Sequence, residues 1–240
     1  MRAYTYLVVI IIISFLISLN TIKVFSLEEM SLFLTVVGLI YGLIAAFTIN
    51  NAWERFSKIR DAVAEETNSL VTMYIFAKQL SDKVAFKKLK ETLLEYSQEI
   101  PTIEWHEYWA SEKTHKKFRN LIKIVSEIKL KNQKDIELFD EVGEELRDAA
   151  AARNAQLVLA QTRVPKLQWA LNILLSAILI IGLVLVAIPN YVLSIFIVSA
   201  MVAAVLMIFV VIYELDSMKM AEEEISNEPY RQVTRIIKSE

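Results

Sequence analysis

The chain has 240 residues, a formal net charge of −2 and no cysteine. The near-neutral balance gives no electrostatic grip on nucleic acid, and the missing thiols exclude disulfides, thiolate metal centres and cysteine nucleophiles. Hydrophobic residues make up 55% of the chain and charged residues 22%, which suggests apolar spans joined to an ordinary charged domain.

Four glycines, four prolines and no run of alternating polarity point to an all-helical protein, with neither internal repeats nor low-complexity linkers. The first element in chain order is Ala3–Leu19, AYTYLVVIIIISFLISL after Arg2. Its apolar core is long and Asn20–Ser26 offers no small-x-small cleavage site, so it reads as a retained span and not a secretory signal.

A short polar connection, Asn20–Glu29, leads into Met30–Arg60, MSLFLTVVGLIYGLIAAFTINNAWERFSKIR. Met30–Ile49 is uncharged and extends ~30 Å as a helix, enough to cross a bilayer. At 100° per residue Gly38, Gly42, Ala45, Ala46 and Ile49 share one face, the glycines spaced as GxxxG, a face suited to packing against protein. Phe33, Val36, Ile40, Leu43, Ile44 and Phe47 share the other, continued by Asn51. That bulky face has two readings. It meets lipid, or copies of the helix surround an axis and Val36, Ile40 and Ile44, one turn apart, ring a hydrophobic constriction. The second span covers about 30–52. Trp53 suits the headgroup level with Arg55 beside it, and no helix breaker occurs before Ser81, so the helix continues into water.

Residues 54–166 form the aqueous part, near balance in charge, with breaks expected near Ser81 and Asp82, at Glu99–Thr102 around Pro101, near Lys131–Lys134 and at Pro165. Helical spacing covers Lys83–Ile100, Ser111–Leu130 and Asp135–Arg163. Phe118, Leu121, Ile122, Val125 and Ile128 make an apolar stripe for a core or subunit interface. The block is a helical bundle.

Leu167–Ile188 and Tyr191–Tyr213 are two further apolar runs, joined only by Pro189 and Asn190 and therefore an antiparallel hairpin. Trp169 begins the third span at the level where Trp53 leaves the second, one aromatic belt on the side of the bundle. A polar tail, 214–240, follows. Four spans put both termini and the bundle on one side. Arg2, Arg55, Lys58, Arg60, Arg163, Lys166 and Lys219 gather there against only Lys23 opposite, which orients that side to the cytoplasm of an inner-membrane protein.

Chemistry is sparse. His106 and His115 lie nine residues apart, not at a ligand spacing, and read as solvated; Glu222–Glu224 with Glu214 and Asp216 read as a solvated tail. No P-loop, Gly-rich nucleotide turn or nucleophile elbow occurs, so no enzyme, metal or cofactor is expected. No span holds a charge, which argues against coupled transport and leaves open a passive pore gated by wetting.

The stretch AAFTINNAWERFSKIRDAV resembles the segment where the second transmembrane helix of bestrophin channels meets the cytosol. The matching positions are Phe47, Asn50 or Asn51, Trp53, Arg55, Phe56 and Arg60. The layout of two spans, a helical block, two spans and a tail is similar too. Closer still is a bacterial bestrophin-like family of unknown function, whose likeness takes in Tyr41–Leu70, RNAQLVLAQTRVPKLQW and EPYRQV. The resemblance implies a homo-oligomer, pentameric in bestrophins, whose second helix lines a pore for small inorganic ions. Its neck would be Val36, Ile40 and Ile44, with Phe33, Leu43, Phe47 and Asn51 lining the pore or its cytosolic mouth. Two features depart from bestrophins: Thr48 stands where Arg commonly follows the terminal Phe, and no calcium clasp is recognisable around Glu214–Glu224.

The reading is an all-α polytopic membrane protein with a cytosolic bundle between spans two and three, self-associating in the lipid bilayer and conducting ions passively. The alternative is a non-conducting scaffold or sensor whose bundle binds a partner.

Overall fold

The computed structural model describes residues 25–102, 112–188, 190–218 and 227–239. The first expected span, Ala3–Leu19, lies outside them, as do His106 and Glu222–Glu224. The elements are β1 (Phe25–Ser26), α1 (Leu27–Gln79), α2 (Lys83–Glu99), a 3-10 turn (Ile100–Thr102), α3 (Glu112–Ser126), α4 (Gln133–Gln161), α5 (Lys166–Leu185), β2 (Val186–Ala187), α6 (Tyr191–Ser217) and α7 (Glu228–Ser239). Three of them, α1, α5 and α6, are long and apolar enough to cross a membrane.

Helix α1 runs unbroken for 53 residues. Its start is a reciprocal cap: the Ser26 hydroxyl accepts from the Glu29 N–H at 3.2 Å, and the Ser26 N–H donates to Glu29 Oε2 at 2.9 Å. No proline interrupts it, and its end is set from outside. Past Gln79 the Ser81 N–H donates to the Asp135 carboxylate at 3.0 Å, and Asp82 caps α2 by accepting from the Ala85 N–H at 3.1 Å.

The chain falls into two compact units, and α1 passes from one to the other after Trp53. The first takes α1 up to Trp53 and Val164–Asp216. Here one stripe of α1, Val37, Tyr41 and Ala45, packs with Leu179 of α5 and Val205 of α6. Buried Asn172 on α5 donates to the Thr48 hydroxyl at 2.9 Å, and that hydroxyl donates to the Ile44 carbonyl at 2.8 Å. Such a bond between apolar helices stabilises their contact by about 0.6 kcal/mol. The Trp169 and Phe209 rings stack 6.0 Å apart, and the Val164 N–H donates to Asp216 at 2.8 Å. A short parallel pairing, Phe25 with Val186 and Ser26 with Ala187, adds two extended residues on each side to a chain expected to be wholly helical. It ends α5 at Leu185, three residues before the expected Ile188, because the backbone there turns to sheet pairing.

The tightest glycine is Gly182 on α5, where a Cβ would stand 2.7 Å from Leu34 Cδ2. Leu34 Cδ2 is the free end of a flexible side chain, so Gly182→Ala needs only its rotation. Gly182→Leu must displace Leu34 and Met30 together, an overpacking of about 1–3 kcal/mol. In detergent, Gly182→Leu is expected to lower the thermal midpoint while Gly182→Ala stays near wild type. Equal midpoints for all three proteins would contradict this close approach.

The second unit takes Glu54–Arg163 and the chain from Ser217. Ile59, Val63, Leu70, Met73 and Ala77 of α1 face Leu89, Leu93 and Tyr96 of α2, Phe118, Leu121 and Val125 of α3, Val142, Leu146 and Ala149 of α4, and Tyr230, Val233 and Ile237 of α7. The expected α3 stripe is thus core, apart from Ile122, which is 44% exposed. Helix α3 stops at Ser126 rather than Leu130 because side chains capture the N–H groups beyond it: Lys129 donates to Asp82 and Lys131 to Asp135. These two aspartates tie the α1–α2 turn to the α3–α4 turn. The Ala85 and Lys129 N–H groups hold the Asp82 carboxyl below the usual carboxylate range. Burial works to raise Asp135, but the donors at Lys131 and Ser81 outweigh it and hold that carboxyl low as well.

Candidate functional site

Along α1 the stripe Val37, Tyr41, Ala45, Thr48 and Ala52 is buried. Its two flanks differ. On the bulky flank Phe33, Val36, Ile40, Leu43 and Phe47 are all exposed, Val36 by 46% and Ile40 by 44%, while Ile44 is half-buried and Asn51 exposed. The three residues expected to form a neck therefore follow one line of the helix, with the upper two uncovered within the protomer. On the small flank the members separate: Ala45 is 2% exposed, a Cβ on Gly38 would meet Leu179 Cδ1 at an ordinary 3.8 Å, and a Cβ on Gly42 would meet nothing within 4 Å. Gly38 and Ala45 face this protomer's own helices and Gly42 faces away from them.

Where the apolar half of α1 ends, Trp53 is 54% exposed. Arg55 is instead buried, and its Nε donates to the Leu159 carbonyl at 2.9 Å, in the last turn of α4. A guanidinium there adds a second donor to a carbonyl that already accepts from the Thr162 N–H, and it complements the negative end of the helix dipole.

Deeper in the second unit lies a group of polar residues that sequence reasoning missed. Glu66 interrupts the apolar stripe of α1, fully buried between Val63 and Leu70. Its Oε1 accepts from the Tyr96 hydroxyl. Its Oε2 accepts from the Tyr230 hydroxyl at 2.6 Å and from Gln156 Nε2 at 2.6 Å. Arg153, 3% exposed, donates through Nη1 to the Tyr96 hydroxyl and through Nη2 to the Thr114 hydroxyl at 3.1 Å. Its guanidinium lies over the Tyr96 ring at 5.4 Å and the Phe118 ring at 5.3 Å, a buried cation–π arrangement. Tyr96 and Tyr230 meet edge to face at 6.3 Å. Every α-helix among the described residues of this unit contributes: Glu66 from α1, Tyr96 from α2, Thr114 from α3, Arg153 and Gln156 from α4, and Tyr230 from α7.

Burial pushes the Glu66 carboxyl above its ordinary value, and the Arg153 charge and the Tyr230, Tyr96 and Gln156 donors offset only part of that rise. A sequence signal was available. Ile59, Val63, Leu70, Met73 and Ala77 set a helical stripe in which position 66 calls for an apolar residue, and Leu146, Ala149 and Ala160 do the same for Arg153 and Gln156. Two patches of the bestrophin-like resemblance, RNAQLVLAQTR and EPYRQV, carry Arg153, Gln156 and Tyr230 into this one cluster.

No functionally curated protein matches the chain in sequence. Two solved structures share its fold. One is a membrane protein with a single proline-to-alanine substitution, 12% identical, TM-score 0.76, covering 99% of this chain and 98% of that one. The other is a bacterial bestrophin homologue from Klebsiella pneumoniae with a tryptophan-to-alanine substitution, 13% identical, TM-score 0.77, covering 100% and 98%. Residues 28–217 match the Bestrophin-like domain, most of the chain and all three long apolar helices, and the protein is a member of that family of membrane proteins.

Proposed function

We propose that the chain is a four-span inner-membrane protein, with both termini and the second unit in the cytoplasm. It assembles as a homo-oligomer, a pentamer on the bestrophin pattern, and conducts small inorganic ions passively along its axis. The observation that carries this reading is the uncovered bulky flank of α1, beside a buried stripe whose Val37, Tyr41 and Ala45 pack with α5 and α6. Copies set around an axis turn Val36, Ile40 and Ile44 inward as stacked apolar rings, a neck that opens by wetting and needs no intramembrane charge. The open Gly42 flank then suits close approach by a neighbouring copy, since a missing side chain lets helix backbones draw together. The Bestrophin-like match supports a channel of this general kind.

Native mass spectrometry of detergent-purified protein, followed by recording from planar bilayers, tests it. A closed ring with discrete single-channel currents is expected. A monomer or simple dimer leaves no axial pore and overturns the proposal in favour of a scaffold whose helical bundle binds a partner. A silent ring removes conduction alone.

A further inference from the structure

The Glu66 cluster has a feature that ion conduction does not use. Gln156 is 0% exposed, and its Nε2 serves both the Ala62 carbonyl at 3.1 Å and Glu66 Oε2 at 2.6 Å. Its Oε1, equally buried, accepts from no donor among the described residues. The two ends of an amide differ only in which atom is nitrogen. Turned over, Gln156 presents its oxygen to Glu66 Oε2, where a carboxylic O–H fills it, and gives up the bond to the Ala62 carbonyl in exchange. The cluster can thus hold a neutral Glu66 by trading one hydrogen bond, in a setting where burial disfavours the charge.

The position of Tyr230 gives that proton a structural consequence. Helix α7 packs on the unit through Tyr230, Val233 and Ile237, and its deepest polar contact is the Tyr230 hydroxyl on Glu66 Oε2. Undocking α7 would take away the Tyr230 side of the carboxyl's cover and open it to water from there. We propose that Glu66 is a proton-binding latch for the C-terminal helix: holding a proton it stays buried beneath docked α7, and on giving that proton to water it favours the undocked helix. Among the described residues, the titratable or charged groups facing it are Tyr96 from α2, Arg153 from α4 and Tyr230 from α7. Arg153 opposes the effect by favouring the carboxylate, and burial in the docked state outweighs it.

The direction follows from linkage. The docked state raises the Glu66 carboxyl above the ordinary value it regains in water, so docking binds the proton more tightly. The latch is closed at low pH and weakens as pH rises through the docked-state value, by at most about tenfold in the docking equilibrium per pH unit.

Hydrogen exchange of the full-length protein in detergent, between about pH 5 and about pH 9 and corrected for intrinsic exchange, reads this directly. Peptides from Glu228–Ser239 are expected to lose protection with rising pH while those from α6 do not. Glu66→Gln stays neutral, and with Gln156 turned over its amide can donate to Gln156 Oε1, so it should keep α7 protected throughout. Flat exchange of wild-type α7 overturns the proposal, as does loosening of Glu66→Gln in step with wild type. Should Glu66→Gln not fold, the infrared band of the protonated wild-type carboxyl decides. It must disappear over the pH interval in which α7 loosens, and a band absent or unchanged across that interval sinks the latch. The readout does not involve ion currents, so it stands apart from the channel proposal.

Discussion

Glu66→Ala is expected to destabilise the protein by about 3 kcal/mol or more. Alanine takes the shared acceptor away from the Tyr96 and Tyr230 hydroxyls and the Gln156 amide at once. Each donor left buried without a partner costs about 1–3 kcal/mol, reduced where side chains turn to find substitutes. Arg153 suffers indirectly, because the Tyr96 hydroxyl that accepts from it no longer has Glu66 to donate to. The space vacated among Ile59, Val63, Leu70 and Leu93 adds a cavity cost, since a close-packed core relaxes only partly. Tyr230→Phe removes a single donor and should cost about 1 kcal/mol, felt chiefly at α7. Because both changes act on one contact, the double variant Glu66→Ala with Tyr230→Phe should cost less than the two separate losses together. Denaturant unfolding in detergent measures all three. Strict additivity, or an alanine variant as stable as wild type, would show that the cluster is not a unit.

What could be read in advance divides along the range of the interactions. The long uninterrupted α1, the breaks around Asp82 and Pro101, and the apolar stripe through Phe118, Leu121 and Val125 are local properties, carried by periodicity, caps and proline. The Glu66 cluster is not local: its bonds join residues separated by 30, 90 and 164 positions. A glutamate or arginine in a segment of balanced charge looks like any solvated residue until its place in an apolar stripe is weighed. Arg55 illustrates the same limit. Its type and position suit the membrane boundary, whereas its partner is a carbonyl 104 residues away. Helix α3 ends short of its apolar periodicity for a related reason, since Asp82 and Asp135 stop it from across the unit. In the apolar half of α1, helical geometry separated a bulky face from a small one. Only the structure revealed the buried stripe between them and divided the glycines, Gly38 toward Leu179 and Gly42 toward open space.

Ile40→Ser should raise single-channel conductance several-fold while the oligomer and its thermal stability stay near wild type. Ile40 stands one helical turn from Val36 and one from Ile44, at the middle of the line. With 44% of it exposed, it gives the protomer little packing to lose. A substitution at such a site changes stability by about 0.5 kcal/mol or less, so altered currents cannot be assigned to misassembly. An apolar ring excludes water because it offers no hydrogen bonds to replace those of the liquid. A ring of serine hydroxyls would supply donors and acceptors at the proposed neck and lower the cost of a wetted, ion-bearing pore. Position is the control. Leu39 is more exposed than Ile40, at 70%, yet points 100° away around the helix, so Leu39→Ser should leave conductance unchanged. Ala45→Leu, on the buried stripe against α5 and α6, should instead impair assembly before it alters any current. Unchanged currents in Ile40→Ser, or a gain equal to that of Leu39→Ser, would return the bulky flank to lipid and move the conduction path elsewhere.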